Sequence, residues 1–394
     1  MVIFLLLASS FLLTATIVPI VIRIAIKRRL FDAPTETRKV HKRIIPNLGG
    51  IAIFSGFMFS QQLFIHSGMI PPLNQLLMSG SVLFMLGLKD DIIGLSPYKK
   101  FVAQFAAALV VTIIGDIRIM DLGGLLGMYE LSYPFSISLT VFAIVGVVNA
   151  FNLIDGIDGL AGMLGLIVSV TFAVLFLSAG ETGWGYLCLA LAGSLGGFLL
   201  YNISPARIFM GDSGALMLGF FVAVMSIHFI NIVEIKPVLL GGYTYSSASG
   251  LVMALLIIPL FDTLRVFTLR ILGNRSPFEA DRNHLHHRLI ALGLSHTQAT
   301  FILSAVTLIF LFTAFLFQDI GSNQLIATLG IMILSLNTGF TLYSKSYEDR
   351  RMETLLSEIN IPKPEVKPVE LHSQHTSPAG SPLPETVLEK IRQN

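Results

Sequence analysis

Between residues 2 and 343 the chain is a succession of apolar runs almost free of charge, joined by short polar connections. A hydrocarbon core of about 30 Å needs roughly 20 apolar residues in a helix. On that rule the runs predict about eleven transmembrane spans, at 2–26, 49–65, 73–88, 101–115, 136–148, 160–178, 184–201, 214–233, 248–269, 297–317 and 324–343. The expected fold is an all-α polytopic membrane protein. Composition agrees: 54% of the 394 residues are hydrophobic and 13% charged, against about 25% charged in a soluble domain. The first run has no basic region ahead of it and is longer than a signal-peptide core, so it predicts a helix that stays. The single cysteine, Cys188, excludes an intrachain disulfide. One transmembrane domain is expected over 1–345. The tail, 346–394, is rich in Pro, Ser and Thr and is expected to be largely disordered, with a short helix near 385–392.

Parity of the spans divides the connections into two sets. On the side reached after the first span lie Lys27, Arg28, Arg29, Arg38, Lys39, Lys42, Arg43, Lys89, Lys99, Lys100, Arg207, Arg270, Arg275, Arg282 and Arg288. The opposite connections hold only Arg118 and Lys236. Positive charge marks the cytoplasmic side, which predicts an outside N-terminus and a cytoplasmic tail. The Gly-rich outside connection 116–135 alternates apolar and other residues, and a short β-hairpin is expected there.

The unusual polar clusters all fall on the predicted cytoplasmic side. Asn149, Asn152, Asp155 and Asp158 sit between two long apolar runs, and polar groups at membrane depth read as functional. The two amides are three apart, on one face of a last helical turn. The Asp155-Gly156 and Asp158-Gly159 pairs then let the backbone turn. Asp90-Asp91 ends the third span; adjacent carboxylates repel unless a cation joins them, and magnesium favours such oxygen ligands together with phosphates. Asp212, in Phe209-Met210-Gly211-Asp212-Ser213-Gly214, reads equally as a helix cap and as a metal ligand, and the helix end also suits an anion. Asp281-Arg282-Asn283-His284-Leu285-His286-His287-Arg288-Leu289 places three histidines and two arginines in a short stretch, an array suited to phosphate oxygens. Zinc fits it poorly, with no cysteine nearby and cations on both flanks. Asp262 reads as a buried carboxylate paired with Arg265. Gly49-Gly50 admits close approach of another backbone or of a ligand.

Carboxylates imply a divalent metal, His and Arg imply phosphate, and the apolar body implies a substrate arriving from the lipid. Phosphoryl transfer needs chiefly positioning and charge neutralisation, so a phosphotransferase joining a soluble phosphate compound to a lipid phosphate fits. A nucleotide-sugar transporter is the competing class. It calls for polar groups near the midplane and often repeats, and neither is visible.

The clusters also resemble a known family. Arg38-Lys39-Val40-His41 with Pro46-Asn47-Leu48-Gly49-Gly50, then Asp90-Asp91, residues 149–160, residues 209–214 and residues 281–289 are similar, in that order, to the motifs of the polyprenyl-phosphate N-acetylhexosamine-1-phosphate transferases. The resemblance implies transfer of a sugar-1-phosphate from a UDP-sugar to undecaprenyl phosphate, with release of UMP. Magnesium is the implied cofactor, with manganese as an alternative, and the implied setting is the cytoplasmic face of the bacterial inner membrane. The His-Leu-His-His-Arg form resembles the WecA/TagO branch, which uses UDP-N-acetylglucosamine, rather than the peptidoglycan branch, which takes UDP-MurNAc-pentapeptide and shows a run of three histidines. By resemblance, Asp212 is the principal magnesium ligand, with Asp91 and Asn152 in the metal environment. Asp90, Asp91, Asp155, Asp158 and His286 are catalytic. Asn149, Asn152, Asp155, Phe209, Arg282, His284, His286, His287, Arg288 and Lys100 bind substrate, Phe209 by stacking on uracil. The lipid bilayer is the implied partner, a homodimer is plausible, and no nucleic acid is expected.

Overall fold

The computed structural model describes residues 1–30, 45–235, 238–240, 243–245, 247–276 and 283–358. They are nearly all helical. The helices are α1 (Val2–Arg28), α2 (Gly49–Phe64), α3 (Leu73–Ile93), α4 (Pro97–Leu109), α5 (Tyr133–Ile154), α6 (Leu160–Ser178), α7 (Thr182–Asn202), α8 (Gly211–Ile235), α9 (Ala248–Leu272), α10 (Leu285–Ala291), α11 (His296–Leu316) and α12 (Ser322–Glu358). A π-helical turn, Val110–Ile114, prolongs α4. Proline sits in the first turn of α4 and of α5, where its missing N–H leaves nothing unsatisfied.

Nine helices among the described residues are long and apolar enough to cross a membrane, against the eleven expected. The two that fall short are α2, with 16 residues, and α3, whose last turns carry Lys89, Asp90 and Asp91. Helix α8 is the axis of the bundle. Its apolar stretch is 89% buried, against 28% for α1 and 17% for α12, and α2, α3, α5, α6 and α9 all pack on it. Contact between α3 and α8 is backbone to backbone: a Cβ on Gly87 would lie 2.4 Å from the Asp212 carbonyl oxygen and the Ser213 nitrogen. Small residues allow this kind of approach where no hydrophobic force draws helices together.

In 116–135 the two arms of the connection bond antiparallel, with the Asp121–Glu130 bridge and the Leu131 and Leu122 N–H groups donating to the Met120 and Tyr129 carbonyls, around a 3-10 turn at Leu125–Gly127. In another connection, β1 (Val238–Leu240) pairs antiparallel with β2 (Tyr243–Tyr245). Residues 346–358 continue α12 as helix, and the rest of the tail, with its expected helix at 385–392, lies outside the described residues. Contacts divide the chain into one unit over Met1–Ser344 and a second over Lys345–Asn394. Gly49 and Gly50 meet backbone: their N–H groups donate to the Phe209 and Met210 carbonyls, while the Phe209 N–H donates to Pro46.

Candidate active site

The last turns of α3 and α5 and the first turns of α4 and α8 meet at one end of the bundle. There Lys100, near the start of α4, places its Nζ 2.5 Å from Asp90 Oδ2 and 2.5 Å from Asp212 Oδ2. Asn152 donates from Nδ2 to Asp212 Oδ1 at 2.9 Å. The other Asp90 oxygen accepts the Leu95 N–H at 2.6 Å. Asn149 faces α4 instead: its Nδ2 donates to Gln104 Oε1 and to the Val145 carbonyl, both at 2.7 Å. Gln104 lies one turn beyond Lys100 on α4, so this bond steadies the helix that delivers the lysine.

The α8 N-terminus does not await an anion. Asp91 takes the Asp212 N–H on Oδ1 at 2.7 Å and the Ser213 N–H on Oδ2 at 3.0 Å. A helix leaves its first amides without partners inside the helix, and here one carboxylate from another element satisfies two of them. The cap comes from outside the helix rather than from Asp212 or Ser213. Both oxygens of Asp91 are therefore already engaged.

Asp90 and Asp212 thus share one ammonium, with Asp91 beside Asp212 on the α8 amides and Asp155 within reach of the charges of Asp212 and Asp91. Burial first, and then the charges of Asp212 and Asp91, hold the Asp155 carboxyl well above the usual carboxylate range. Clustered acids with a raised pKa are what a site awaiting positive charge displays. The donors are hard oxygens, which suits magnesium. Among the described residues no three Asp, Glu, His or Cys side chains form a ready ligand set, and Lys100 stands between two of the acids as their present counter-charge.

The histidine cluster reaches the acids through the loop after α5. His286 is 1% exposed, and a Cβ on Gly156 would fall 2.3 Å from its Nε2. The ring therefore rests on the residue next to Asp155. Among the described residues neither ring nitrogen has a hydrogen-bond partner. Burial first, and then the neighbouring His287, push its pKa down to about 3. His286 is therefore neutral near pH 7 and keeps one donor and one acceptor uncommitted. His284 stacks 5.6 Å from it, and His287 lies 4.3 Å away, tilted.

Several sequence-predicted residues point elsewhere. Asp158 does not join the acids; its carboxylate meets His296 Nδ1 at 2.9 Å and the Ala206 N–H at 3.1 Å, and its carbonyl accepts from Thr300. It ties the α5–α6 loop to α11 and to the segment before α8. Asp262 pairs with His284 Nδ1 at 2.9 Å and accepts the Leu285 N–H at 2.8 Å, while Arg265 donates to the Asn283 carbonyl. The expected Asp262–Arg265 pair thus gives way to a cap on α10. Arg288 turns to α12, donating to Thr341 and lying 4.5 Å from the Phe340 ring centroid. Phe209 is half-buried at the foot of α8. Arg38, Lys39, His41, Asp281 and Arg282 lie outside the described residues. Two polar residues were not foreseen, Gln104 and His296. Each is a polar side chain at the edge of an apolar run, the signal that exposed Asn149.

A helical bundle with acids, a lysine and a neutral buried histidine at one end describes a polytopic membrane protein built for phosphate chemistry. Residues 73–230 match the family described as glycosyl transferase family 4, and with the relatives below the chain belongs to that family of sugar-phosphate transferases. It is 37% identical over 316 residues, 79% of this chain and 83% of the relative, to the probable undecaprenyl-phosphate N-acetylglucosaminyl 1-phosphate transferase of Bacillus subtilis (strain 168). It is 30% identical to the undecaprenyl-phosphate alpha-N-acetylglucosaminyl 1-phosphate transferase of Salmonella typhi, over 74% of this chain and 78% of that one. With the decaprenyl-phosphate N-acetylglucosaminephosphotransferase of Mycobacterium leprae (strain TN) it shares 33% identity over 68% and 71%. The family read from the motifs is the family found.

Proposed function

We propose that this chain transfers N-acetylglucosamine-1-phosphate from UDP-N-acetylglucosamine to undecaprenyl phosphate, giving undecaprenyl-diphospho-N-acetylglucosamine and UMP. The reaction is assigned to the cytoplasmic face of the bacterial inner membrane, where it opens the synthesis of a cell-envelope glycan. Eleven spans, an outside N-terminus and a cytoplasmic tail go with this reading. The observation that carries it is the meeting of Asp90, Asp91, Asp155, Asp212 and Lys100 with the loop under His286 at one end of the bundle.

Asp212 would hold magnesium, or manganese in its place, with Asn152 fixing the carboxylate and Asp155 beside it. The chemistry supplied by the bound ion is neutralisation of the diphosphate charge that UMP carries away. Asp91 is assigned to holding the start of α8, since its oxygens already accept two amides. In direct transfer, an oxygen of the lipid phosphate bonds to the phosphorus that bears the sugar. The bond from that phosphorus to the bridging oxygen breaks, and its electron pair leaves with UMP. Lys100 shifts its charge from the acids to the arriving phosphate, which frees Asp90 to accept a proton from it. His286, neutral, hydrogen-bonds the sugar or diphosphate from its wall over Gly156, with His284 and His287 flanking it. Phe209 supports the uracil. Positioned groups of this kind act on charge that develops in the transition state.

The test combines purified protein, undecaprenyl phosphate, magnesium and UDP-sugars carrying a labelled hexosamine. Label in the lipid with stoichiometric UMP in solution supports the assignment. Preference for another UDP-N-acetylhexosamine or for UDP-MurNAc-pentapeptide would revise the substrate. Uptake of intact UDP-sugar into vesicles without UMP would replace the enzyme by a carrier.

A further inference from the structure

A cavity of about 380 Å³ opens between α1, the end of α7 and the segment leading to α8, lined by Pro19, Ile22, Arg23, Ile45, Tyr201, Ala206 and Arg207. Among the described residues its lining holds two guanidiniums and no carboxylate. Among the described residues neither Arg23 nor Arg207 has a side-chain hydrogen bond or ion pair. The Tyr201 hydroxyl is already used, donating to the Ala15 carbonyl at 3.0 Å. The cavity sits at the same end of the bundle as the acids, where α1 finishes and α8 begins.

Two like charges facing one space repel unless an anion joins them. Guanidinium is the side chain best matched to a phosphate, offering a planar fork of donors. The rest of the lining is apolar. Apolar surface also continues beyond the rim on both flanking helices, with Ile20 and Ile24 on α1 each 53% exposed and Leu200 on α7 61% exposed. In a membrane these residues meet acyl chains, and arginines near a helix end reach towards the headgroup layer. A phosphate between two guanidiniums with hydrocarbon running away along α1 and α7 has the form of a phospholipid rather than of a free ion.

We propose that this cavity binds the phosphate of an anionic bilayer phospholipid, gripped by Arg23 and Arg207, with its acyl chains against α1 and α7. The site is separate from the reaction pocket. It is joined to it through the backbone, since Ala206, in the cavity wall, donates its N–H to Asp158 in the loop that carries Asp155. A bound headgroup therefore braces the segment that leads to Phe209 and Asp212.

The experiment is native mass spectrometry of the detergent-purified full chain, titrated with phosphatidylglycerol or phosphatidylcholine. The wild-type protein is expected to retain one phosphatidylglycerol in preference to phosphatidylcholine. Arg23→Gln with Arg207→Gln is expected to weaken that retention roughly tenfold or more, since a basic side chain near a lipid surface contributes about 1 kcal/mol. Arg28→Gln with Arg29→Gln removes the same charge from the same end of α1 outside the cavity and is expected to leave it intact. If the glutamine pair does not accumulate, Arg23→Lys with Arg207→Lys keeps the charge and is expected to reduce retention by losing the fork. Wild-type retention in the cavity variants, or equal loss in the Arg28 and Arg29 control, overturns the site. Complete displacement of the lipid by millimolar inorganic phosphate assigns the cavity to a free ion and overturns the lipid. The readout is independent of sugar-phosphate transfer, so a failed transferase assay leaves it standing.

Discussion

Lys100 is where the chemistry of this protein is most exposed to a single change. It touches both Asp90 and Asp212, whose other oxygens are held by Leu95 and Asn152. Asp212→Asn keeps an acceptor for one neighbour but removes the charge. It should lower label transfer by about 10²–10³-fold, the cost of losing one positioned electrostatic group, with a melting temperature close to wild type; full turnover would refute the assignment. Asp155 predicts a pH effect of definite sign. Its folded pKa is raised above that of the unfolded chain, by burial and by Asp212 and Asp91. Below the unfolded pKa both states hold the proton and Asp155 is neutral in its effect. As pH rises past that value the unfolded chain releases the proton while the folded one keeps it, so stability falls. In metal-free buffer Asp155→Asn should therefore raise the melting temperature at pH 7–8, with the gain disappearing near pH 3–4. A variant less stable than wild type at pH 8 would contradict this. At this scale the sequence gives residue types but not directions. Asp155 and Asp158 look like a pair, yet the loop turns between them, and Asp158 ends on His296.

The element that organises the pocket is the first turn of α8, whose amides are capped by Asp91 from α3. Asp91→Ala removes both of those bonds. Substituting a capping residue costs about 0.5–2 kcal/mol, so a clear drop in melting temperature is expected. The magnesium concentration for half-maximal turnover should stay within about threefold of wild type, because the missing interaction is a cap. A large loss of magnesium affinity at unchanged stability would return Asp91 to the ligand set. Helix ends were legible because polarity interrupts apolar runs there; Asn149 and Asn152 do fall on the last turns of α5. The capping between elements was not, because it depends on α3 and α8 touching at Gly87, a contact between positions 125 residues apart. Strand length was not legible for a related reason: a local turn at Leu125–Gly127 limits the pairing in 116–135, and β1 with β2 spans three residues a side.

For the molecule as a whole, every polar residue assigned to the pocket lies where helices begin or end at one pole of the bundle. The proposed topology, from parity and basic residues, puts that pole in the cytoplasm. A cytoplasm-dependent reporter fused after Tyr129 should therefore stay silent, and one fused after Asn274 should be active; the reverse pattern would invert the topology. The gathering of polar residues at one pole was readable from the order of apolar and polar stretches. The number of crossing helices was less so, because α2 is short and α3 carries its charges inside the helix. Helix α8 has one more consequence. It is the helix most thoroughly enclosed by its neighbours, and the acids are mounted on its tip. Heat has no way to disarm the chemistry while leaving the scaffold upright, so residual activity and ellipticity should decay along one curve, and an additive that protects either should protect both to the same degree.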